Sequence, residues 1–390
     1  MIPMNAQFLV FFTVFLSVYS LANFYVGLRG WQAFHSLPAF PGGRFYSVVF
    51  ILVAFAYILE RILGDYLPGP LNTLLAVGGG VWMAALYYLT LLCLLFDLLR
   101  LANRLIGFVP ANWRLSPAGI GGGIVLIVAC ILAYGAWNAT HTVWRSYEIE
   151  LDKTAGDLQE LRIVMVSDIH LGKVIDNHRL QFLVDQINAR RPDLVLLAGD
   201  VIDEDIGHFI DQDMASTFRK LQSRFGVFAV LGNHEYIGRE TEAAIELMRS
   251  GGITVLRDSY FIVENRFVVA GRDDWDRQRF LGSPRQPLTQ WLQGIDSALP
   301  LFLMDHQPRE LAAALAAGVD LTVSGHTHRG QLYPNHWVTQ RLYEIDWGYL
   351  QKGSLHAIVS SGFGTWGPPV RTSAKSEIVE IKVKFRQSKK

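Results

Sequence analysis

The chain has 390 residues, of which 51% are hydrophobic and only 18% are charged, with 35 acidic and 35 basic side chains. This composition is too apolar for an ordinary soluble enzyme and indicates membrane-spanning segments. A formal net charge of zero gives no basis for a nucleic-acid partner. Both cysteines, Cys93 and Cys130, lie in apolar runs, so no disulfide framework can be read from them.

Four apolar segments in the first 140 residues are predicted to cross a membrane. They are 8–28, 45–63, 71–96 and 118–138, each close to the roughly 20 residues that a hydrocarbon core of about 30 Å requires. A signal peptide is the alternative for the first, but no basic region precedes it and no small-residue cleavage site follows it. Gly119 and Gly123 in the fourth segment form a small-residue face that favours helix packing. We therefore predict a four-helix transmembrane bundle over residues 1–141.

The arginines between these segments predict the orientation of the bundle. The first and third loops contain Arg29, Arg44, Arg100, Arg104 and Arg114, whereas the second contains only Asp65 beyond its flanking Arg61. Arginine-bearing loops stay in the cytoplasm, so everything after the fourth segment is expected outside. This prediction depends on the second segment, which Glu60 and Arg61 interrupt near its end.

The remainder of the chain has the pattern of an α/β domain. Residues 142–158 are predicted to be an extended or amphipathic connector, and residues 159–390 alternate short apolar strands with amphipathic helices at 179–189, 215–223, 240–250 and 309–317. Several strands with turns between residues 253 and 269 indicate that the sheets are mixed.

Five of the apolar strands are followed at once by side chains that bind metals. Asp168 and His170 follow the first strand, and because side chains alternate along extended backbone they are expected to point the same way. The later strands are followed by Asp200, Asn233, His306, and His326 with His328. The carboxyl ends of strands in open α/β sheets are where ligands bind, so the sequence predicts one shared site.

The seven candidate ligands are too many for one ion of four to six ligands. Carboxylate, imidazole and amide donors without a thiolate suit divalent Mn, Fe or Zn. Two ions a few Å apart that share a carboxylate would use the whole set. A glycine precedes three of the ligand groups, at Gly199, Gly232 and Gly325, where it would permit a sharp turn close to the metals.

These blocks resemble the calcineurin-like metallophosphoesterase superfamily over residues 160–384. The resemblance implies a mixed β-sandwich flanked by helices, and it assigns Asp168, His170 and His328 to one ion, Asn233, His306 and His326 to the other, and Asp200 to both. It also makes His234 a proton donor or hydrogen-bond partner to the leaving group. Asp203 and Glu235 are expected to orient ligands, with plain surface placement as the alternative.

Two further blocks resemble a membrane-anchored bacterial branch of the superfamily that includes UDP-diacylglucosamine pyrophosphatases. They are 271–274, which ends in Asp274, and 360–371. Arg329 stands where that branch more often has glycine, and either a grip on a substrate phosphate or ordinary solvent exposure would explain it. Residues 335–353 are rich in aromatic side chains, which predicts either membrane docking or a small packed cluster.

The resulting prediction is a membrane-anchored phosphohydrolase with two divalent metal ions. It would cut a phosphoester or pyrophosphate bond of a lipid or lipid-linked substrate, on the outer side of a bacterial inner membrane. One alternative is a phosphodiesterase or phosphatase of soluble substrates, for which the bundle is only an anchor. Another is a membrane receptor or scaffold without catalysis. The sequence gives no oligomeric state.

Overall fold

The computed structural model describes residues 6–110 and 116–387, and the chain divides into two compact units. The first unit comprises residues 1–135 with 367–369, and the second comprises 136–366 with 370–390. Arg114, on which the predicted orientation partly rests, lies outside the described residues.

The first unit is helical. Its helices are α1 (Ala6–Phe34), α2 (Gly43–Leu63), α3 (Gly69–Ile106) and α4 (Pro117–Thr140). Within the described residues, α2, α3 and α4 are long and apolar enough to cross a membrane. These three correspond to the second, third and fourth predicted spans. The first predicted span lies inside α1, and its membrane crossing stays a prediction.

Glycine permits two close helix contacts in this unit. A Cβ at Gly79 on α3 would lie 2.5 Å from the backbone nitrogen of Tyr57 on α2. With any larger residue at position 79, the two helix backbones could not lie this close together. The packing predicted for the fourth segment falls on a different glycine. Among the described residues, no other helix lies within 4 Å of a Cβ built at Gly119 or Gly123, whereas a Cβ at Gly121 would lie 2.6 Å from that of Ala33 on α1.

The second unit contains two six-stranded sheets. The first has the order β1-β12-β2-β3-β4-β5 and the second β10-β11-β9-β8-β7-β6. The strands of the first sheet are β1 (Val143–Leu151), β2 (Glu160–Val166), β3 (Leu194–Ala198), β4 (Val227–Val230), β5 (Thr254–Val255) and β12 (Glu377–Phe385). Those of the second are β6 (Ser259–Val263), β7 (Phe267–Gly271), β8 (Leu301–Met304), β9 (Leu321–Ser324), β10 (Gly348–Lys352) and β11 (Leu355–Val359). Both sheets combine parallel and antiparallel pairs, as the sequence predicts.

Nine short helices accompany the strands in the described part of this unit. They are α5 (Asn177–Ala189), α6 (Gly207–Asp211), α7 (Met214–Phe218), α8 (Asn233–Ile237), α9 (Thr241–Ser250), α10 (Arg277–Leu281), α11 (Leu288–Trp291), α12 (Leu311–Ala316) and α13 (His336–Leu342). The four predicted helices correspond to α5, α7, α9 and α12, with α7 ending five residues before the predicted helix end at residue 223.

Alternating side chains place a shared core between the two sheets. In β2, Leu161, Ile163 and Met165 are fully buried against the second sheet, while Val164 and Val166 belong to the core on the opposite face, with α5, α7 and α9. The outer face of the second sheet packs against α11 and α12. Each buried side chain of this size stabilises the fold by about 1.5–3 kcal/mol. The result is a β-sandwich flanked by helices on both sides.

The segment predicted as a connector, 142–158, contains an edge strand of the first sheet. Within it, β1 pairs in parallel with β12 from Val143 opposite Glu377 to Leu151 opposite Phe385. Ile149 and Leu151 belong to the shared core. The extended backbone that the sequence suggests is therefore part of the sheet.

Candidate metal centre

The five strands that precede the predicted ligands all end at one side of the sandwich. β2, β3 and β4 are parallel neighbours in the first sheet, and β8 and β9 are parallel neighbours in the second. Their carboxyl ends bring together three groups of aspartate and histidine side chains from residues 168–328, two of which share His170. The sequence predicts this convergence, but it does not divide the five strands between two sheets.

Asp168 and His170 are brought together by a loop and not by extended backbone. Strand β2 ends at Val166, and Asp168 and His170 have left-handed backbone, with φ values of 51° and 52°. The argument from side-chain alternation is therefore wrong, although both side chains do reach one cluster. The Asp168 amide donates to the Gly199 carbonyl at 3.0 Å, and the His170 amide donates to that of Asp200 at 3.0 Å.

The first cluster consists of Asp168, His170 and His328. One ligand atom from each lies within 4.8 Å of the others, and all three residues are buried. The Nε2 atoms of His170 and His328 are 3.1 Å apart, and Nε2 of His328 is 3.5 Å from Oδ1 of Asp168. Asp168 Oδ2 and Nδ1 of both histidines are buried without a hydrogen-bond partner. Such atoms are costly unless something else satisfies them, and a divalent cation fits the carboxylate and imidazole donors.

The second cluster consists of Asp200, Asn233, His306 and His326. Asp200 Oδ2 is 3.1 Å from His306 Nε2, and Asn233 Oδ1 is 2.8 Å from His326 Nδ1 and 3.3 Å from His306 Nε2. His306 Nδ1 donates to the Ala198 carbonyl at 2.8 Å. That bond leaves Nε2 facing the cluster, where it can bind a metal once its proton is lost, and metal-binding histidines are usually oriented in this way.

Asp200 lies between the two clusters. Its Oδ2 atom is 3.1 Å from His306 Nε2 in the second cluster and 3.9 Å from His170 Nε2 in the first. Its Oδ1 atom accepts a hydrogen bond of 2.9 Å from the His234 amide, which fixes the carboxylate plane. The Asp200 carboxylate is therefore close to histidines of both clusters. Burial raises the pKa of the Asp200 carboxyl, but His306 and His234 outweigh it and hold that pKa well below its ordinary value.

Two glycines let backbone come close to the acidic ligands. A Cβ at Gly232 would lie 2.6 Å from the Asp200 nitrogen and collide with its carboxylate, and one at Gly325 would collide with the Asp168 carboxylate. The amide of His326, next to Gly325, donates to Asp168 Oδ1 at 2.9 Å. A larger residue at either position would therefore force the backbone away from the carboxylate.

The histidines of the clusters have unequal proton affinities. Burial, followed by the charge of His306, lowers the pKa of His326 to about 3, and burial together with His170 lowers that of His328. Burial also disfavours the charged form of His306, but Asp200 outweighs it and raises the pKa of His306 well above its ordinary value. A neutral imidazole is the form that binds a metal, so His326 and His328 are already in that state at neutral pH.

His234 lies at the edge of the first cluster and is held by Asp203. Its Nδ1 is 2.9 Å from Asp203 Oδ1, and its ring centroid is 4.5 Å from that of His170. Burial lowers the pKa of His234, but Asp200 and Asp203 outweigh it and raise the pKa to about 9. Burial likewise raises the pKa of Asp203, but the neighbouring His170 and His234 outweigh it and hold that pKa far below its usual value. The carboxylates of Asp200 and Asp203 therefore favour the positively charged His234 ring, and Asp203 fixes its orientation.

Glu235 braces two of the ligand loops. Its carboxylate accepts hydrogen bonds from the amides of Val201 at 2.7 Å, Ile202 at 3.0 Å and Gly232 at 2.7 Å. It is buried and ties the loop after β3 to the loop after β4. Asp200 and Asn233 sit on those two loops.

The remaining two sequence candidates have more ordinary contacts. Asp274 is fully buried and accepts from the Asp276 amide at 2.8 Å and from the side chain of Gln307, next to His306, at 3.2 Å. The Arg329 guanidinium stacks 4.0 Å from the centre of the Trp347 ring. Asp274 thus supports the loop that carries His306, and Arg329 lies on an aromatic surface.

Sequence reasoning did not single out Arg371, which holds the loop beside Asp168. Arg371 is fully buried and donates to the carbonyls of Ser361, Gly362 and Gly364, the last two at 3.0 and 2.5 Å. In turn, the Gly364 amide donates to the Asp168 carbonyl at 2.8 Å. Residues 360–364 and Arg371 belong to one block of the sequence, but no feature of that block indicates a contact between them.

Arg371→Met is expected to loosen that loop and weaken metal retention. The carbonyls of Ser361 and Gly364 would lose the donor that Arg371 supplies, and that of Gly362 would keep the Glu377 amide. The cost is roughly 2–4 kcal/mol, or a fall in Tm on the order of 5–10 °C. Thermal unfolding and elemental analysis of the full-length protein in detergent would measure both effects. Arg329→Met is the matched control, because Arg329 stacks on a ring and does not bond these carbonyls. Equal Tm and metal content in Arg371→Met and the unmodified chain would contradict a positioning role.

A β-sandwich with buried carboxylates and imidazoles at the carboxyl ends of its parallel strands defines a metallophosphoesterase. Residues 161–330 match the family described as calcineurin-like phosphoesterase. A transmembrane protein with a metallophosphoesterase domain from Danio rerio is 30% identical, over 97% of this chain and 90% of that protein. Metallophosphoesterases from Campylobacter jejuni and Aquifex aeolicus, both uncharacterised, are 28% and 31% identical, over 97% and 66% of this chain and 100% and 98% of their own lengths.

The chain therefore belongs to the calcineurin-like phosphoesterase family and is a metal-dependent phosphoric ester hydrolase. The Danio rerio relative and the three apolar helices together indicate a membrane protein.

Proposed function

We propose that this protein is a membrane-anchored phosphohydrolase that uses two divalent metal ions to cut a phosphoester or pyrophosphate bond of a lipid or lipid-linked substrate. The observation that carries the two-ion part is the position of Asp200, whose carboxylate faces both clusters, at 3.1 and 3.9 Å from their histidines. Two close dications repel each other and need a shared negative charge, which this carboxylate supplies.

Asp168, His170 and His328 would hold one ion, and Asn233, His306 and His326 the other, with Asp200 shared. Mn, Fe and Zn all suit this donor set. When bound, the two ions supply Lewis-acid stabilisation of the phosphoryl oxygens and a water activated for attack on phosphorus. His234 stands beside the first cluster with a proton to give, so it would protonate the leaving oxygen while Asp203 keeps its ring in place.

An exposed apolar surface on α13 supports the lipid part of the proposal. Trp337, Val338 and Leu342 are 58%, 56% and 69% exposed. The helix leads directly into Tyr343, whose ring centroid is 6.1 Å from that of His326 in the second cluster. Exposed apolar side chains of this kind mark interaction sites for membranes or acyl chains. This surface would bring a lipid headgroup to the metals.

The orientation proposed is a bundle in a bacterial inner membrane with the catalytic domain on the periplasmic or extracellular side. It is supported by the arginines of the first and third loops. Protease protection of the catalytic domain in vesicles of known sidedness tests it.

The double variant Trp337→Asp with Leu342→Asp is expected to separate lipid turnover from the chemistry. Full-length protein with Mn²⁺ should hydrolyse a phospholipid in vesicles at least about tenfold more slowly, since each lost apolar contact is worth about 1.5–3 kcal/mol. Its rate on the soluble ester bis(p-nitrophenyl) phosphate should stay within about twofold. Initial rates on both substrates give the comparison.

Ile262→Asp is the matched control, because Ile262 is 41% exposed on β6, opposite Val268 at the start of β7 and away from the metal ligands. Unchanged turnover of both substrates in the double variant would instead favour soluble substrates with the bundle as an anchor. Failure of every phosphoester to react with the unmodified protein would favour a receptor or scaffold.

A further inference from the structure

The helical unit contains a large groove that the hydrolase reaction does not use. It has a volume of about 1220 Å³ and lies among α1, α3 and α4, with two aromatic side chains of α2 at its wall. Pockets for small molecules and cofactors are usually about 300–1,000 Å³, so this groove has room for a larger ligand. Gly121 of α4 and Ala33 of α1, which approach each other closely, are part of its lining.

Most of the groove wall is apolar. Representative lining residues are Val26, Phe50, Leu89, Ile124, Val128 and Leu132. Three of the four contributing helices are long and apolar enough to cross a membrane, so their apolar wall is compatible with the hydrocarbon of a bilayer. A lipid acyl chain is apolar and would pack favourably against this wall.

One end of the groove is polar and carries a net positive charge. Arg29, Asp97, Arg100 and Asn103 line it. Arg29 pairs with Asp97 across the boundary between α1 and α3, and its Nε is buried without a hydrogen-bond partner. Arg100 is exposed, with its guanidinium 5.9 Å from the centre of the Phe96 ring, and no ion pair involves it within the described residues. One acidic and two basic groups leave one uncompensated positive charge.

We propose that this groove binds one membrane phospholipid with an anionic headgroup. The phosphate would accept hydrogen bonds from Arg100 and from the unpaired Nε of Arg29, and the acyl chains would lie along the apolar wall. The arginines lie near the carboxyl-terminal ends of α1 and α3, at the level where headgroups meet the ends of membrane helices. Basic pockets between membrane helices characteristically bind acidic lipids. The site is separate from the catalytic proposal and stands whether or not the substrate is a lipid.

Native mass spectrometry of the full-length protein tests the proposal, with phosphatidylglycerol and phosphatidylcholine of identical acyl chains as probes. We expect one retained phosphatidylglycerol per chain and at least about fivefold weaker retention of phosphatidylcholine. Arg100→Gln should weaken phosphatidylglycerol binding about tenfold, because a hydrogen bond from a charged donor is lost. Arg104→Gln, a turn further along α3 and outside the groove, should change it less than about twofold.

A second pair of variants tests the apolar wall. Ala129→Phe fills the groove from α4 and should abolish retention, whereas Ala133→Phe, one turn further and outside the lining, should not. Equal retention of the two lipids would overturn the proposal, as would equal losses in Arg100→Gln and Arg104→Gln or full binding by Ala129→Phe. A dimer without lipid would also overturn it, since the groove would then hold a second copy. If Ala129→Phe does not fold, the two arginine variants decide the matter.

Discussion

Asp200→Ala is expected to abolish hydrolysis and to strip the site of at least one metal ion. Asp200 Oδ2 faces His306 and His170 in different clusters, so its loss removes the one carboxylate that both ions would share. The metals supply several kcal/mol of transition-state stabilisation, and each 1.4 kcal/mol is a factor of ten in rate. We expect kcat/KM to fall by at least roughly 10³-fold.

Metal content distinguishes this explanation from simple misfolding. Elemental analysis should find about two transition-metal ions per unmodified chain and at most one in Asp200→Ala. Asp200→Asn is a useful second variant, because its amide oxygen can still accept the hydrogen bond from the His234 amide while the charge is lost. Asp185→Ala, on the exposed side of α5, is the matched control and should keep full activity. Two bound ions and normal turnover in Asp200→Ala would remove the basis for a shared ligand.

The sequence predicts which residues meet at the site because each ligand directly follows an apolar strand. If the carboxyl ends of these strands lie at the same edge, the ligands must lie in one region. This applies to Asp168, Asp200, Asn233, His306 and His326. It does not predict that β8 and β9 belong to a second sheet. Strand pairing is decided by long-range packing. The sequence of a four-residue apolar strand such as Leu301–Met304 does not indicate which strand will pair with it.

The backbone at the ligands could not be predicted from the sequence. Asp168, His170, Asp200, His326 and His328 all have left-handed φ values, between 47° and 70°. Non-glycine residues avoid this conformation, at a cost of about 1–3 kcal/mol each. Here bonds between loops hold the ligand backbones in place, including those from the amides of Asp168 and His170 to the loop after β3. This preorganisation of the donors costs stability and favours metal binding.

Neither the role of Arg371 nor the groove in the helical unit could be predicted from the sequence, for two different reasons. Arg371 acts through backbone carbonyls at 361–364, and those contacts have no residue-type signature. For the groove, the sequence predicts a helix-packing face at Gly119 and Gly123 but does not identify the residue of α4 that approaches α1. Gly121 makes that contact.

His234→Asn is expected to slow hydrolysis without loss of metal. His234 adjoins the first cluster, and its Nδ1 bonds Asp203 at 2.9 Å, so the opposite ring nitrogen is available to the leaving group. General acid catalysis contributes typically 10²–10⁴-fold, and we expect a fall of that size in kcat for an alkyl phosphate ester. The loss should be far smaller for a p-nitrophenyl ester, whose leaving group needs no proton.

The diagnostic quantity is the ratio of the activity lost on the alkyl ester to that lost on the p-nitrophenyl ester. As a control, His178→Asn changes an exposed histidine on α5 and should alter neither rate. A ligand role for His234 predicts a different result, because both esters would then lose activity equally and elemental analysis would find less metal. Equal losses with full metal content would mean that His234 stabilises the phosphoryl group and not the leaving oxygen. Only the unequal loss at full metal content follows from a protonated ring that Asp203 holds towards the departing group.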